Sequence, residues 1–239
     1  MSRPFSERYK RATHRALAAL VDPVRAGVLH RLHSVQEYPE SMISPHFRIN
    51  GYPPISAYPQ ARGDDPTYER LLSGAFADFR LEVRGMVENP LSLSLKDLRA
   101  MPRQEQTTLH HCIQGWTSVG RWGGVPLHRL LERCRPLAGA RYMVFHSFGK
   151  HEKTGKTYYE CVCLEVSTHP QAILADTLNG QPLPSQHGAP LRLRFETKLG
   201  FKMVKFVKSI ELVDSYHHIG GGMGGVREDE QQFDMGAEI

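Results

Sequence analysis

Two adjacent histidines lead directly into a cysteine at His110-His111-Cys112-Ile113-Gln114-Gly115-Trp116, and the run continues through Arg121 and Trp122 to Pro126. Both tryptophans of the chain lie within it. A cysteine that leaves a strand for a Gly/Trp/Ser loop has three chemical uses. It can be a nucleophile, a soft-metal ligand or a small buried apolar side chain. A thiol nucleophile needs an oriented base and an oxyanion site. His110 and His111 are neighbours on an expected strand over 107–112, so they point to opposite faces and only one can approach the thiol. Their spacing sets up no triad. Cys134, Cys161 and Cys163 read as structural. No CxxC, CxxCH, HExxH, GxGxxG or Walker A pattern occurs. Ordinary zinc sites, c-type haem, thioredoxin chemistry and P-loop chemistry therefore lack support.

The elements that must position these residues are short and mixed. Phe79, Leu81 and Val83 alternate with Arg80, Glu82 and Arg84, the pattern of a half-buried strand. Glu88-Asn89-Pro90 makes a turn, and Ser94 to Asp97 reads as a capping box before a short helix ending near Pro102. Pro126 opens a helix with Leu127, Leu130, Leu131 and Cys134 on one face. Strands are expected at 141–146, 157–166, 191–195 and 202–213, and a helix at 169–178. Val204, Phe206, Ile210 and Leu212 share a face. Residues 36–68 read as a long ordered loop, and Cys112 leaves its strand into a Gly/Trp/Ser loop that carries both tryptophans. The tail has five glycines in six residues from Gly220, then an acidic run. Short strands mixed with short helices, without a βαβ rhythm, predict an α+β fold rich in β.

Composition bounds the function. The chain has 239 residues, 40% hydrophobic and 23% charged. That is enough to build a core without disulfides, and it excludes a disordered tail or a collagen-like repeat. No apolar run approaches the ~18 residues of a transmembrane helix. The net charge of +5 resides in residues 1–35, and the remainder is neutral. The body is thus not a nucleic-acid binder by composition. Leu17, Leu20, Val21, Val24, Val28 and Leu32 form a helical stripe, with Asp22-Pro23 starting a second helix; helices are predicted at 6–21 and 23–33. This divides the chain into a basic helical arm, 1–35, and a body, 36–239. The arm either packs on its own domain or docks peripherally on an acidic partner or a membrane surface. No export signal is evident, which points to the cytoplasm.

The stretch Leu109–Leu127 resembles the molybdenum-ligand segment of the sulfite oxidase family of molybdopterin-dependent oxidoreductases. The likeness is closest to its short bacterial single-domain members, which are similar to the catalytic subunit of protein-methionine-sulfoxide reductase. Phe47-Arg-Ile-Asn-Gly-Tyr-Pro-Pro54 resembles the family's first cofactor loop, and Phe79–Pro102 its strand and helix before the cysteine. His187-Gly-Ala-Pro-Leu-Arg192 followed by Gly200-Phe-Lys-Met-Val-Lys205 resembles its second cofactor segment. These four pieces stand in the family's order.

The resemblance implies a sulfite-oxidase-type fold of mixed β-sheets with short peripheral helices. It implies a molybdenum–molybdopterin cofactor with Cys112 as the metal thiolate and catalytic centre. Asn50 and His187 would hydrogen-bond the pterin or its phosphate, and Pro53 and Pro54 would shape the first loop. Arg192 would grip phosphate as a planar fork, with Lys205 as a point charge. Backbone N–H groups around Met203 and Val204 would complete an anion cradle. Ser147 stands where the family has a small polar cofactor contact. The implied activity is oxygen-atom transfer on a small sulfur- or nitrogen-containing substrate, with electrons exchanged with a separate partner. The alternative is a non-catalytic binding module on the same scaffold, its basic arm holding a partner or nucleic acid. One departure bears on substrate. Where eukaryotic sulfite oxidases place arginines just after the cysteine, this chain has Ile113-Gln114-Gly115-Trp116, and Arg121 comes only later.

Overall fold

Alternating apolar residues from Leu81 onward build ten strands in the computed structural model, which describes residues 34–51, 53–55, 65–151, 154–231 and 237. In chain order they are β1 (Leu81–Gly85), β2 (Leu91–Leu93), β3 (Gln104–His111), β4 (Thr117–Pro126), β5 (Tyr142–Lys150), β6 (Thr157–Cys163), β7 (Ala172–Leu178), β8 (Gln181–Pro182), β9 (Arg192–Phe195) and β10 (Val207–Val213). Four short helices accompany them: α1 (Pro66–Ser73), α2 (Leu95–Arg99), α3 (Leu127–Cys134) and α4 (Val226–Gln231). The expected helices at 6–21 and 23–33 lie outside the described residues.

The strands form two five-stranded sheets. One runs β2-β1-β10-β5-β6, with β1 and β10 parallel and the other pairs antiparallel. The other runs β3-β4-β7, and β8 and β9 pair with successive halves of β7. The main core gathers Leu81, Val83, Ile210 and Leu212 from the first sheet and Leu174, Leu193 and Phe195 from the second. A smaller cluster of Trp122, Ile173, Ala175, Leu178 and Leu183 lies against Phe47. Each fully buried side chain of this size stabilises by about 1.5–3 kcal/mol.

Several local expectations hold for the reasons given. Ser94 caps α2 by accepting from Asp97 N at 3.1 Å while Asp97 accepts from Ser94 N at 2.9 Å. The helix after Pro126 buries Leu127, Leu130, Leu131 and Cys134. Cys134, Cys161 and Cys163 are free thiols within the core.

Four readings need correction. Residues 172–178 are strand β7, not a helix. Ala172 and Leu174 face the main core and Ile173 and Ala175 the smaller cluster, so both faces are buried. Such a strand has no alternation, and its apolar run is indistinguishable from helix by periodicity. Residues 117–126 are strand β4, not a loop. Its Gly124 reads as a breaker, but a Cβ there would lie 1.9 Å from the Leu174 carbonyl oxygen. Glycine is what lets β4 and β7 approach. The long loop expected through residue 68 is interrupted by α1. Asp65 caps it, accepting from Thr67 N at 3.0 Å and Tyr68 N at 3.1 Å, and Pro66 takes the first turn. The strand expected from 202 starts at Val207, because Gly200–Lys202 makes a single 3-10 turn and Phe206 is left-handed with φ 57°.

Candidate functional site

Strand β3 ends at His111, and Cys112 opens the turn to β4. Cys112 N donates to Trp116 O at 3.0 Å, and Gly115 N returns to Cys112 O at 3.0 Å. Gly115 has φ 81°, a conformation that favours glycine. The turn leaves Cys112 as a free thiol, 7% exposed. Its Sγ accepts from Asn50 Nδ2 at 3.2 Å and faces Gln114 N at 3.5 Å. Two N–H groups aimed at sulfur suit a thiolate. Among the described residues no carboxylate or histidine side chain is hydrogen-bonded to its sulfur, so the nucleophile reading gains no support.

The second half of the site is cationic. Lys205 Nζ donates to Asn50 O at 2.7 Å and to Gln186 O at 2.6 Å, which clips the first loop to the second segment. Arg192 Nη1 donates to His187 O at 3.2 Å. Strand β9 explains its place: Leu193 and Phe195 enter the core, so Arg192 and Arg194 take the opposite face. There their guanidiniums lie 5.0 and 4.4 Å from the Trp122 ring centroid. Burial and Arg194 hold Arg192 down to about 9, with Glu196 and Cys112 opposing. Burial and then Arg192 push Lys205 well below the usual lysine range. Burial, Lys205 and Arg192 lower His187 to about 4.

This pocket fits an anion. Among the described residues no acidic side chain pairs with Arg192 or Lys205, and Arg192 Nε is buried without any hydrogen-bond partner. Burying cations in this way is costly unless an anion joins them. A pterin phosphate answers the charge and the orphaned donor, while Cys112 supplies the soft ligand for a metal.

Behind the site stands a polar buttress. Arg194 donates through Nη1 to His110 Nδ1 at 2.9 Å and is paired with Glu196 at 2.5 Å, all buried. An arginine always donates, so His110 carries its proton on Nε2. Burial, followed by Arg192 and Arg194, keeps His110 far below its usual range and hence neutral. Phe47 is the hub of the wall. Its ring lies 5.4 Å from His110, 6.0 Å from Trp116, 5.2 Å from Trp122 and 5.7 Å from His187.

The structure therefore joins Asn50, Cys112, His187, Arg192 and Lys205 in one connected site. Pro53 and Pro54 are buried in the first loop, where Pro53 O accepts from Ile55 N at 2.8 Å. Ser147 is used beneath the site: its hydroxyl donates to Lys205 O at 2.6 Å and accepts from Gly149 N at 2.8 Å. It positions the Lys205 segment. The expected anion cradle at Met203 and Val204 is not formed. Met203 N donates to Gly200 O and Val204 N to Lys202 O, both at 3.1 Å, so the 3-10 turn consumes these N–H groups. Phe47, Trp122, His110 and the Arg194–Glu196 pair went unassigned in the sequence. The one signal that could have found Arg194 is the alternation Arg192-Leu193-Arg194-Phe195, which places both arginines on one face.

Over residues 71–218, more than half of its length, the chain matches the family described as oxidoreductase molybdopterin binding domain. A candidate protein-methionine-sulfoxide reductase subunit, YedZ1, of Azospira oryzae is 35% identical over 75% of this chain and 61% of that protein. The protein-methionine-sulfoxide reductase catalytic subunit MsrP of Xanthomonas campestris is 35% identical over 56% of this chain and 44% of that protein. The chain spans less than two-thirds of the length of these curated relatives. The sulfane dehydrogenase SoxCD from Paracoccus pantotrophus shares the fold, with 24% identity and a TM-score of 0.52 over 64% of this chain and 40% of that chain. With the match running from the end of α1 through all ten described strands, the chain belongs to the oxidoreductase molybdopterin-binding domain family.

Proposed function

We propose that the chain is the catalytic unit of a molybdenum enzyme that moves an oxygen atom off a small neutral sulfur or nitrogen oxide, with electrons delivered by a separate protein. The observation that carries this is the joined site: a thiol facing N–H donors on one side, and on the other a buried arginine with an orphaned donor beside a half-buried lysine, with no acidic partner among the described residues. Molybdenum held by the pterin, when bound, supplies two-electron oxygen-atom transfer.

The chain's own residues have separable parts in this. Cys112 would ligate the metal as thiolate. Arg192, Lys205 and His187 would take the phosphate, Arg192 through its orphaned Nε. Asn50 reaches the thiol with its side chain and Lys205 with its carbonyl, so it couples the metal end to the phosphate end. Phe47 and Trp116 wall the site against water.

A neutral substrate is favoured by where Arg121 lies. It sits opposite Thr107 on β4, four residues beyond the pair His111–Thr117, which is roughly 13 Å along a strand. Its guanidinium pairs with Glu40. It is thus engaged elsewhere, and the groups that touch the Cys112 sulfur are neutral amides. The names of the relatives, a reductase of methionine sulfoxide and its catalytic subunit, support the same direction and a separate source of electrons.

The test uses purified protein with a reduced dye as donor. Methionine sulfoxide or another neutral oxide should be turned over, and sulfite should not be oxidised. Cys112→Ser should lose at least about a hundredfold in rate, because oxygen is a harder, poorer ligand. Sulfite oxidation alone, or near-normal turnover in Cys112→Ser, would contradict the reading.

A further inference from the structure

We propose that Asn50 sets the electron-donor strength of the Cys112 thiolate, and through it the reduction potential of the metal. The inference rests on the cofactor reading above and goes beyond holding the pterin. A thiolate accepts hydrogen bonds and cannot donate, so the carboxamide must present its NH2 to the sulfur, as the 3.2 Å contact from Nδ2 shows. It is the one side-chain donor on that sulfur among the described residues. The remaining neighbour is the Gln114 backbone N–H at 3.5 Å, at the edge of hydrogen-bond range.

The residue is held there from both sides. Its backbone carbonyl oxygen accepts from Lys205 Nζ at 2.7 Å. Upstream, the segment that carries it is sewn onto the second sheet, with Tyr38 N donating to Thr107 O at 2.9 Å and Ser44 N to Val119 O at 3.0 Å. Between Ser44 and Asn50, Phe47 inserts into the aromatic wall, 5.2 Å from Trp122. A backbone fixed at these points aims the Asn50 side chain at the metal ligand and preorganises its effect on it. A hydrogen bond to a metal-bound thiolate withdraws electron density from sulfur, which favours the reduced metal and raises the potential. Asn50 is therefore a positioning and tuning residue that acts through Cys112.

The experiment is a redox titration of the molybdenum(V) electron-spin-resonance signal in wild type, Asn50→Asp and Asn50→Leu, with molybdenum and pterin quantified in each sample. Asp keeps the shape and loses the donor; Leu loses the donor without adding charge. Both variants should keep the metal and shift the reduction equilibrium about tenfold toward the oxidised side, ~59 mV for a one-electron couple. Potentials equal to wild type in both would overturn the proposal. So would a shift in Asp without one in Leu, since that is a charge effect. Loss of metal from both variants with wild type loaded would overturn it as well and make Asn50 a retention residue. A wild type that holds no molybdenum would overturn both this and the cofactor reading, so the wild-type metal content tells the two failures apart.

Discussion

His187 shows how one residue reports on the charge around it. Burial, Lys205 and Arg192 lower it to about 4, against 6.5 in an unstructured chain. Between those values the unfolded chain binds the proton and the folded chain does not. Stability of the cofactor-free protein is therefore full above pH 6.5, falls as the pH drops toward 4, and levels off below it. His110, held well below its usual range, adds with the same sign. We expect the denaturation midpoint of cofactor-free protein to fall across this window, and to fall less in His187→Gln. An identical slope in the variant would mean that His187 is not held neutral by its surroundings. At this scale residue type alone left Cys112 open between nucleophile, soft-metal ligand and buried thiol, and left Arg192, Lys205 and Asn50 as ordinary strand or turn residues. Their roles came from the resemblance of the segments that carry them, because side chains from separate segments meet only in the fold. Met203 and Val204 could not be judged so, because whether a backbone N–H is free depends on the turn it sits in. Phe47 was unreadable as a site residue, since its chemistry is packing.

Strand β4 carries the sharpest test among the elements. A Cβ at Gly124 would meet the Leu174 carbonyl oxygen at 1.9 Å and the Ala175 Cα at 2.6 Å, both backbone atoms that cannot swing aside. Gly124→Ala should cost at least ~3 kcal/mol in chemical denaturation. Gly139→Ala is the control: its Cβ would meet only the Met86 Cε at 3.0 Å, the free end of a flexible side chain. It should change stability by less than ~1 kcal/mol. Equal effects would mean that β4 and β7 are not so closely apposed. These strands are also where sequence reading failed. Pattern reasoning detects elements with one wet face, which is why β1, α2 and α3 could be found. It fails where glycine serves close approach, as in β4, or where both faces are covered, as in β7. Helix α1 had a legible start in Asp65-Pro66, yet it is only two turns long and sits among prolines and glycines.

Across the whole molecule, the C-terminal segment is locked onto the Lys205 segment by a buried charge group. Lys202 Nζ donates to Glu160 Oε2 on β6 at 2.7 Å and to Glu228 Oε1 on α4 at 2.6 Å, with none of the three side chains exposed. Burial alone would lower Lys202, but the two carboxylates outweigh it and raise the ammonium's pKa. Burial and Glu228 push Glu160 well up, and Lys202 opposes them. Lys202→Met would strand the two acids and should cost roughly 3–5 kcal/mol by denaturation. A near-neutral result would mean that the acids neutralise themselves and that the lysine is dispensable. The glycine-rich tail belongs to the same lock: Asp229 accepts from Gly221 N at 2.7 Å and Met223 N at 3.0 Å. Nothing in the sequence joined Glu160, Lys202 and Glu228, because contacts between elements far apart in the chain leave no local pattern.

The two sheets thus bring together a thiol from the β3–β4 turn, an amide from the preceding loop, and cations from β9 and the turn before β10. The central claim is that this convergence holds a molybdenum–pterin cofactor. The direct measurement is metal and pterin content per chain in protein made with ample molybdate, compared with Cys112→Ser and Arg192→Ala. We predict close to one molybdenum and one pterin per wild-type chain, loss of metal but retained pterin in Cys112→Ser, and loss of both in Arg192→Ala, whose phosphate contact should contribute about 2–5 kcal/mol. Wild-type protein with negligible molybdenum and pterin, or an Arg192→Ala variant that holds its cofactor through dialysis, would contradict it.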